Sequence, residues 1–202
     1  MSTIRFLACA LLIAAGGCQQ QVSTAAQSTP SAAEVLAAVD SGDIKAVRTL
    51  VAKGANPDAA VPGDGTALIL ASKQGKLAMV DALLELSAGV EVPSRGDGNP
   101  LIMAAKAGHD DVVARLVEAG ADPNAVVAGD ETPLINAARG GHLATVEYLV
   151  EHGADVNLGV TADFGQWRSP LNQTSSEAIK SYLTRHGASV DGDADSERPA
   201  KR

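Results

Sequence analysis

Apolar residues in the middle of this chain recur with a step of 33 positions. Val47, Val80, Val113 and Val146 form one column, Leu50, Leu83, Leu116 and Leu149 a second, and Leu68, Leu101 and Leu134 a third. Each copy also holds apolar residues at helical spacing, such as Val113, Leu116 and Val117, or Val146, Leu149 and Val150. That spacing predicts two short helices per copy. Paired small residues in the first of them, Ala104-Ala105 or Ala137-Ala138, let neighbouring helices approach closely. Gly42, Gly75, Gly108 and Gly141 follow the first helix, where glycine ends a helix at little steric cost. Gly54, Gly120 and Gly153 end the second, but Ser87 fills that column in the second copy. The loop Ser87-Ala88-Gly89 is therefore expected to turn differently and to be the least regular. A fixed period of this size implies helix pairs stacked into a solenoid.

The ends depart from the period in readable ways. Ser31-Ala32-Ala33-Glu34 is a capping box that starts a first copy with Val35, Leu36 and Val39, then Ile44, Val47, Leu50 and Val51. In the fifth copy, Leu134 to Leu171 spans 37 residues, so the stretch Thr161 to Arg168 is enlarged by four. Pro170 to Leu183 spans 13 residues where Pro133 to Leu149 spans 16, so the turn between its helices is expected to be shorter by three. Thr174-Ser175-Ser176-Glu177 is a second capping box before a last helix with Ile179, Tyr182 and Leu183, closing at Gly187-Ala188. Residues 191–202 are charged and aperiodic, and are expected to be a disordered tail.

Polar columns share the period: Asp64-Gly65-Thr66-Ala67, Asp97-Gly98-Asn99-Pro100 and Asp130-Glu131-Thr132-Pro133. With Thr132-Pro133-Leu134-Ile135-Asn136-Ala137-Ala138, Gly141-His142, Tyr148-Leu149-Val150 and Gly153-Ala154-Asp155-Val156-Asn157, residues 31–190 resemble ankyrin repeats. Ile69, Ile102 and Ile135 stand where the family's opening motif carries histidine. The resemblance implies an all-α solenoid of about five helix-turn-helix repeats with β-turn fingers. It also implies a non-catalytic protein-binding module. The expected state is a monomer.

Aromatic residues make up only 2% of the chain. A stack of thin helix pairs needs only Ala, Leu, Val and Ile between neighbours, so this composition suits a solenoid better than a globule. The N-terminus reads differently. Arg5 precedes an apolar run from Phe6 to Ala15 that is too short to span a bilayer, followed by small residues. That is a secretory signal pattern over residues 1–17. Cys18 then resembles the bacterial lipobox cysteine that carries lipid, although Ala15 stands where that motif prefers leucine. Plain cleavage and a retained anchor are the alternatives. Residues 18–30, rich in Gln, Ser, Thr and Ala, are expected to be a flexible tether. Gln19 and Gln20 after the cysteine point to the periplasmic side of the outer membrane, with soluble periplasmic and inner-membrane placements as alternatives. Cys9 lies inside the signal, which leaves a mature chain with no disulfide. Net charge is -8, and removal of Arg5 makes it -9. An acidic chain has no general attraction for phosphate backbones, which excludes nucleic acid as the expected partner.

No nucleophile elbow, phosphate loop or paired-histidine metal motif is present, and neither a cofactor nor a metal is expected. His109 and His142 are expected to brace turns, and His152 and His186 to sit at helix ends. Three candidates for partner contact remain. In the ankyrin frame, Lys73, Lys106 and Arg139 form a basic column on the concave face, beside the finger column Asp64, Asp97 and Asp130. The acids are read as caps or as partners for the bases. The enlarged finger carries Phe164, Trp167 and Arg168, and Trp and Arg are over-represented in binding hot spots. Packing over the C-terminal repeat is the other reading of Trp167. The role that follows is a partner-docking protein of the envelope. An inhibitor or immunity protein for a periplasmic toxin fits it, as do an accessory partner of a periplasmic enzyme and a structural scaffold.

Overall fold

The computed structural model describes residues 29–127, 129–162 and 165–189. The signal, Cys18, Phe164 and residues 191–202 lie outside the described residues. Among the described residues ten helices follow in order: α1 (Ala32–Ser41), α2 (Ile44–Ala52), α3 (Ala67–Lys73), α4 (Leu77–Glu85), α5 (Pro100–Ala107), α6 (Asp110–Glu118), α7 (Pro133–Gly140), α8 (Leu143–Glu151), α9 (Pro170–Gln173) and α10 (Glu177–Arg185). Strands β1 (Val160–Thr161) and β2 (Trp167–Arg168) precede α9. Odd-numbered helices pack side by side in an inner layer, and even-numbered helices pack behind them in an outer layer. Five helix pairs thus stack as an all-α solenoid.

The inner helices begin alike because the polar column supplies their caps. Thr66, Asn99, Thr132 and Ser169 accept the backbone N–H of Ile69, Ile102, Ile135 and Asn172 at 3.3, 2.8, 3.1 and 3.4 Å. Each side chain satisfies a donor that has no partner inside the helix. Pro100, Pro133 and Pro170 occupy the first helical position, where no N–H is required. At the N-terminus, Ser31 N–H donates to Glu34 Oε2 at 2.7 Å and Glu34 N–H to Ser31 Oγ at 3.3 Å, which completes the expected box.

The apolar columns form one continuous core. Val47, Val80, Val113, Val146, Leu83, Leu116 and Leu149 are wholly buried, as are the helix-contact alanines Ala71, Ala104 and Ala137. Burying one such valine or leucine contributes about 1.5–3 kcal/mol. Ser72 takes the column of Ala105 and Ala138, and donates its hydroxyl to Leu68 C=O at 2.7 Å, so this buried polar atom is satisfied within its own helix.

Two sets of hydrogen bonds join successive repeats, the first across the junctions of repeats one to four and the second across every junction. His109 Nε2 lies 3.1 Å from Lys73 C=O, and His142 Nε2 lies 3.3 Å from Lys106 C=O. A carbonyl only accepts, so each Nε2 carries the proton. Lys76 fills the same column one repeat earlier, and donates its ammonium to Asp40 C=O at 2.7 Å and Val39 C=O at 3.0 Å. The imidazoles pack on the glycines of the preceding repeat. Gly75 (φ 66°) and Gly108 (φ 72°) are left-handed, and a Cβ on either would run into the ring of His109 or His142. On the loop side, Asn124 Oδ1 accepts from Asp155 N–H at 2.8 Å while its Nδ2 donates to Gly153 C=O at 2.9 Å. Asn157 repeats both bonds to Ser189 N–H (2.9 Å) and Gly187 C=O (3.1 Å). Asp58 and Glu91 occupy this column earlier. Carboxylates only accept, and they take the N–H of Gly89 and Asp122 at 2.8 and 2.6 Å.

Three expectations are corrected. Ser87 does not make its loop irregular. It adopts φ 63°, the left-handed conformation of Gly54, Gly120 and Gly153, and its N–H and that of Ala88 reach Leu84 and Leu83 C=O at 3.0 Å each, as in the glycine loops. The serine therefore carries backbone strain of about 1–2 kcal/mol. The shortage in the fifth repeat falls in the inner helix: α9 has 4 residues against 8 in α7, while the connection gains one residue. Thr174 does not start the last helix. Ser176 is its N-cap, accepting from Ile179 N–H at 3.4 Å, and Thr174 Oγ1 accepts from Ser176 N–H at 3.2 Å. The capping box belongs to Ser169 and Asn172, one helix earlier.

Candidate binding surface

Lys73 and Lys106 sit in the last turns of α3 and α5, exposed on the inner layer and one repeat apart. Their carbonyls are occupied by His109 and His142, which fixes the backbone beneath them. Neither ammonium has an ion-pair partner among the described residues. One repeat earlier the column holds Asp40, which accepts from Gln74 Nε2 at 2.8 Å.

Arg139 behaves differently. It is ion-paired to Glu131 Oε2, and its Nη2 and Nε donate to Gln173 Oε1 at 2.8 and 3.2 Å. The finger aspartates make no ion pair with the basic column among the described residues. Asp130 Oδ2 instead accepts Gly98 N–H at 3.0 Å, tying the fourth finger to the third. Of the three bases, the two lysines are the ones without a carboxylate partner among the described residues.

The enlarged finger is a hairpin in which Val160 faces Arg168 and Thr161 faces Trp167. Its tip closes through Ala162 N–H to Gln166 C=O at 2.8 Å, just as Val61 N–H closes on Gly65 C=O (2.9 Å) and Ser94 on Gly98 (2.8 Å). The four inserted residues are thus two on each arm, extending the hairpin by a short ladder. Trp167 is 37% exposed, and its ring lies over Gly159, where a Cβ would strike it. It is not part of the buried core under the last helix pair. Val126, 55% exposed, is the other large apolar side chain left in solvent among the described residues.

Arg168 Nη1 donates to Glu131 Oε1 at 2.6 Å. Glu131 is 7% exposed, and it links the last base of the concave column to the hairpin. A carboxylate this buried is stabilised by two guanidinium partners. The sequence signal for it is a charge in a glycine column. Gly65 and Gly98 close their fingers at φ 75° and 62°, and Glu131 replaces that residue in the fourth. The bridge that closes the second and third fingers is not formed between Val127 and Glu131. A recess of about 280 Å³ lies between this fourth finger and the hairpin, lined by Val126, Val127, Gly129, Asp130 and Glu131 on one side and Val160, Thr161, Ala162 and Arg168 on the other.

The outer layer carries the stack's two tyrosines. Tyr148 stacks on His152 with centroids 3.9 Å apart, and Tyr182 lies 4.1 Å from His186. Burial pushes both phenols above their ordinary pKa, helped by Glu118 beside Tyr148 and by Glu151 and Glu147 beside Tyr182, against the lowering effect of Arg185. Each imidazole Nδ1 approaches the tyrosine carbonyl one turn back, at 2.7 and 2.9 Å, capping its helix as expected. No cluster of three or more metal-ligating side chains occurs among the described residues, and none of their helices is long and apolar enough to cross a membrane.

No curated protein matches the chain. A family model of ankyrin repeats in three copies matches residues 35–127 and again residues 99–159. Together these cover residues 35–159, which is 125 of the 202 residues. With the stacked helix pairs, the capped fingers and the bracing histidines, that match establishes that the chain belongs to the ankyrin repeat family.

Proposed function

We propose that this chain is a non-catalytic docking protein of the bacterial envelope, tethered by lipid on Cys18 and binding a protein partner across its concave face and fingers. Ankyrin repeats are protein-interaction modules, and that coarser role rests on the family. The observation that carries the finer reading is the pair Lys73 and Lys106. They are exposed, aligned and free of ion pairs among the described residues, in a chain of net charge -8. Charges aligned on a concave surface steer association with an acidic partner more than they stabilise a fold. Arg139, held by Glu131, supplies a positioned edge to that patch. Confinement to a membrane raises the effective concentration of a binder without any new contact. A preformed groove suits an inhibitor or immunity protein that masks a periplasmic toxin.

Affinity capture of the anchored protein from its native envelope, read by mass spectrometry, tests this. One dominant stoichiometric partner lost on Lys73→Glu/Lys106→Glu substitution is the expected result. Equal capture by the variant defeats the concave site. An increase in the partner's own activity on binding marks an accessory role instead, and several weak partners mark a scaffold. Cys18→Ser is expected to release the protein from membranes and remove the acyl mass; retention on the membrane defeats the anchor.

A further inference from the structure

The recess between the fourth finger and the hairpin is lined on the hairpin side by β1, Ala162 and Arg168 of β2. Because Ala162 and Gln166 form a hydrogen-bonded pair, alternation along an antiparallel ladder makes Val160 and Arg168 the next bonded pair. Thr161 and Trp167 are then a non-bonded pair, with backbone N–H and C=O groups turned outward. On β2 the Trp167 carbonyl is taken by Asn172 Nδ2 at 3.1 Å. On β1 the Thr161 backbone has no hydrogen-bond partner among the described residues, and Thr161 lines the recess. An open edge of this kind is a template for another strand.

The recess wall adds chemistry to that edge. Arg168 uses Nη1 for Glu131, while its Nε and Nη2 donors have no partner among the described residues. Its side chain is 35% exposed and faces the recess. Val126 stands on the opposite wall, more than half exposed. The two walls therefore offer a backbone ladder, a fixed guanidinium and an apolar contact within one slot.

We propose that this slot takes an extended segment of the partner protein, which adds as a strand to β1 at Thr161. One carboxylate of the segment pairs with Arg168, and an apolar side chain covers Val126. Main-chain bonds supply affinity, and the alternate side chains supply selectivity. A guanidinium already held by Glu131 is preorganised to receive a second carboxylate without losing side-chain freedom again. This deepens the docking role proposed above and places part of it on the fingers.

The chain carries its own reporter, since Trp167 is its one tryptophan and lies directly across the hairpin from Thr161. The full chain is titrated with a panel of N-acetylated, C-amidated peptides of alternating valine and threonine, with a single glutamate placed at each position in turn. A saturable change in Trp167 emission is expected for the members whose glutamate meets Arg168. Glutamine in place of glutamate, or N-methylation of alternate amides, weakens it at least tenfold. Thr161→Pro removes the outward N–H while leaving the hairpin bonds of Val160 and Ala162, because proline is tolerated on a strand edge. It is expected to weaken binding at least tenfold without lowering the unfolding midpoint, and Arg168→Gln to weaken binding at least tenfold while lowering the midpoint through its lost bond to Glu131. No saturable change with any member, or equal affinity for wild type and both variants, overturns the proposal. Lys73→Glu/Lys106→Glu, titrated in parallel, leaves peptide binding unchanged, so the slot and the concave docking site fail separately.

Discussion

The junctions joining the first four repeats share two recurring sets of bonds, whereas the junction between the fourth and fifth keeps the loop-side set and replaces the other with parts used once. At the regular junctions an imidazole or ammonium reaches a carbonyl of the preceding repeat, with a glycine beneath the rings of His109 and His142. At the last junction α9 is too short to present a Gly-His step. Arg139 bonds Gln173 there, and Glu131 gathers Arg139 and Arg168. The regular devices recur, and tolerate variation because each is one among several. The last junction depends on a nearly buried carboxylate with two partners. Where the period lapses, specific charges replace repeated shapes, and the open recess and exposed Trp167 appear at the same place.

Substitutions at each kind of junction sharpen this contrast. Gly108→Ala is the most damaging. A left-handed alanine costs about 1–2 kcal/mol, and displacement of His142 from Lys106 C=O about 1 kcal/mol more. The urea midpoint should fall accordingly, and a midpoint within error of wild type would refute the dual role of that glycine. Glu131→Gln comes next, at about 1–2 kcal/mol, because the guanidiniums it leaves unpaired are partly solvated. Its signature is regional: amide exchange should quicken in α9 and α10 and stay unchanged in α3 and α4. A uniform acceleration would mean that the last junction is no different from the others.

The loop-side bonds give smaller effects. Asn124→Asp keeps the acceptor for Asp155 N–H and removes the donor to Gly153 C=O, a loss of about 1 kcal/mol by thermal unfolding. Asp58→Asn is the opposite experiment and is expected to gain a few tenths of a kcal/mol. Opposite signs for the two substitutions are the result to look for. Ser87→Gly is the smallest change, stabilising by about 0.5–1 kcal/mol as relief of left-handed strain outweighs the added freedom of an unfolded glycine. A neutral or destabilising result would show that the serine side chain contributes something its exposed position does not reveal.

Much of the stack was legible in the chain. A buried leucine or alanine at each inter-repeat contact repeats because the same gap recurs, so Leu68, Leu101 and Leu134 announce both period and core. Length differences were less informative, since a difference fixes a total and not its division. The four extra residues before Leu171 did not reveal that two lie on each arm, and the three missing after Pro170 did not reveal that the helix had shortened. Ser87 misled because sequence shows the residue type, while the loop's backbone bonds dictate the conformation. Glu131 was visible as a charge in a glycine column. Its partners lie 8 and 37 residues further on, and only the enlarged hairpin brings Arg168 to it. Lys73 and Lys106 were placed together by the period alone.

The column Lys76, His109 and His142 bears on how freely these positions can vary. Each side chain acts as a donor to a carbonyl, and none is required to accept. A lysine ammonium and an imidazole Nε2–H both meet that requirement, so each seam fixes the direction of its hydrogen bond and leaves the residue type open.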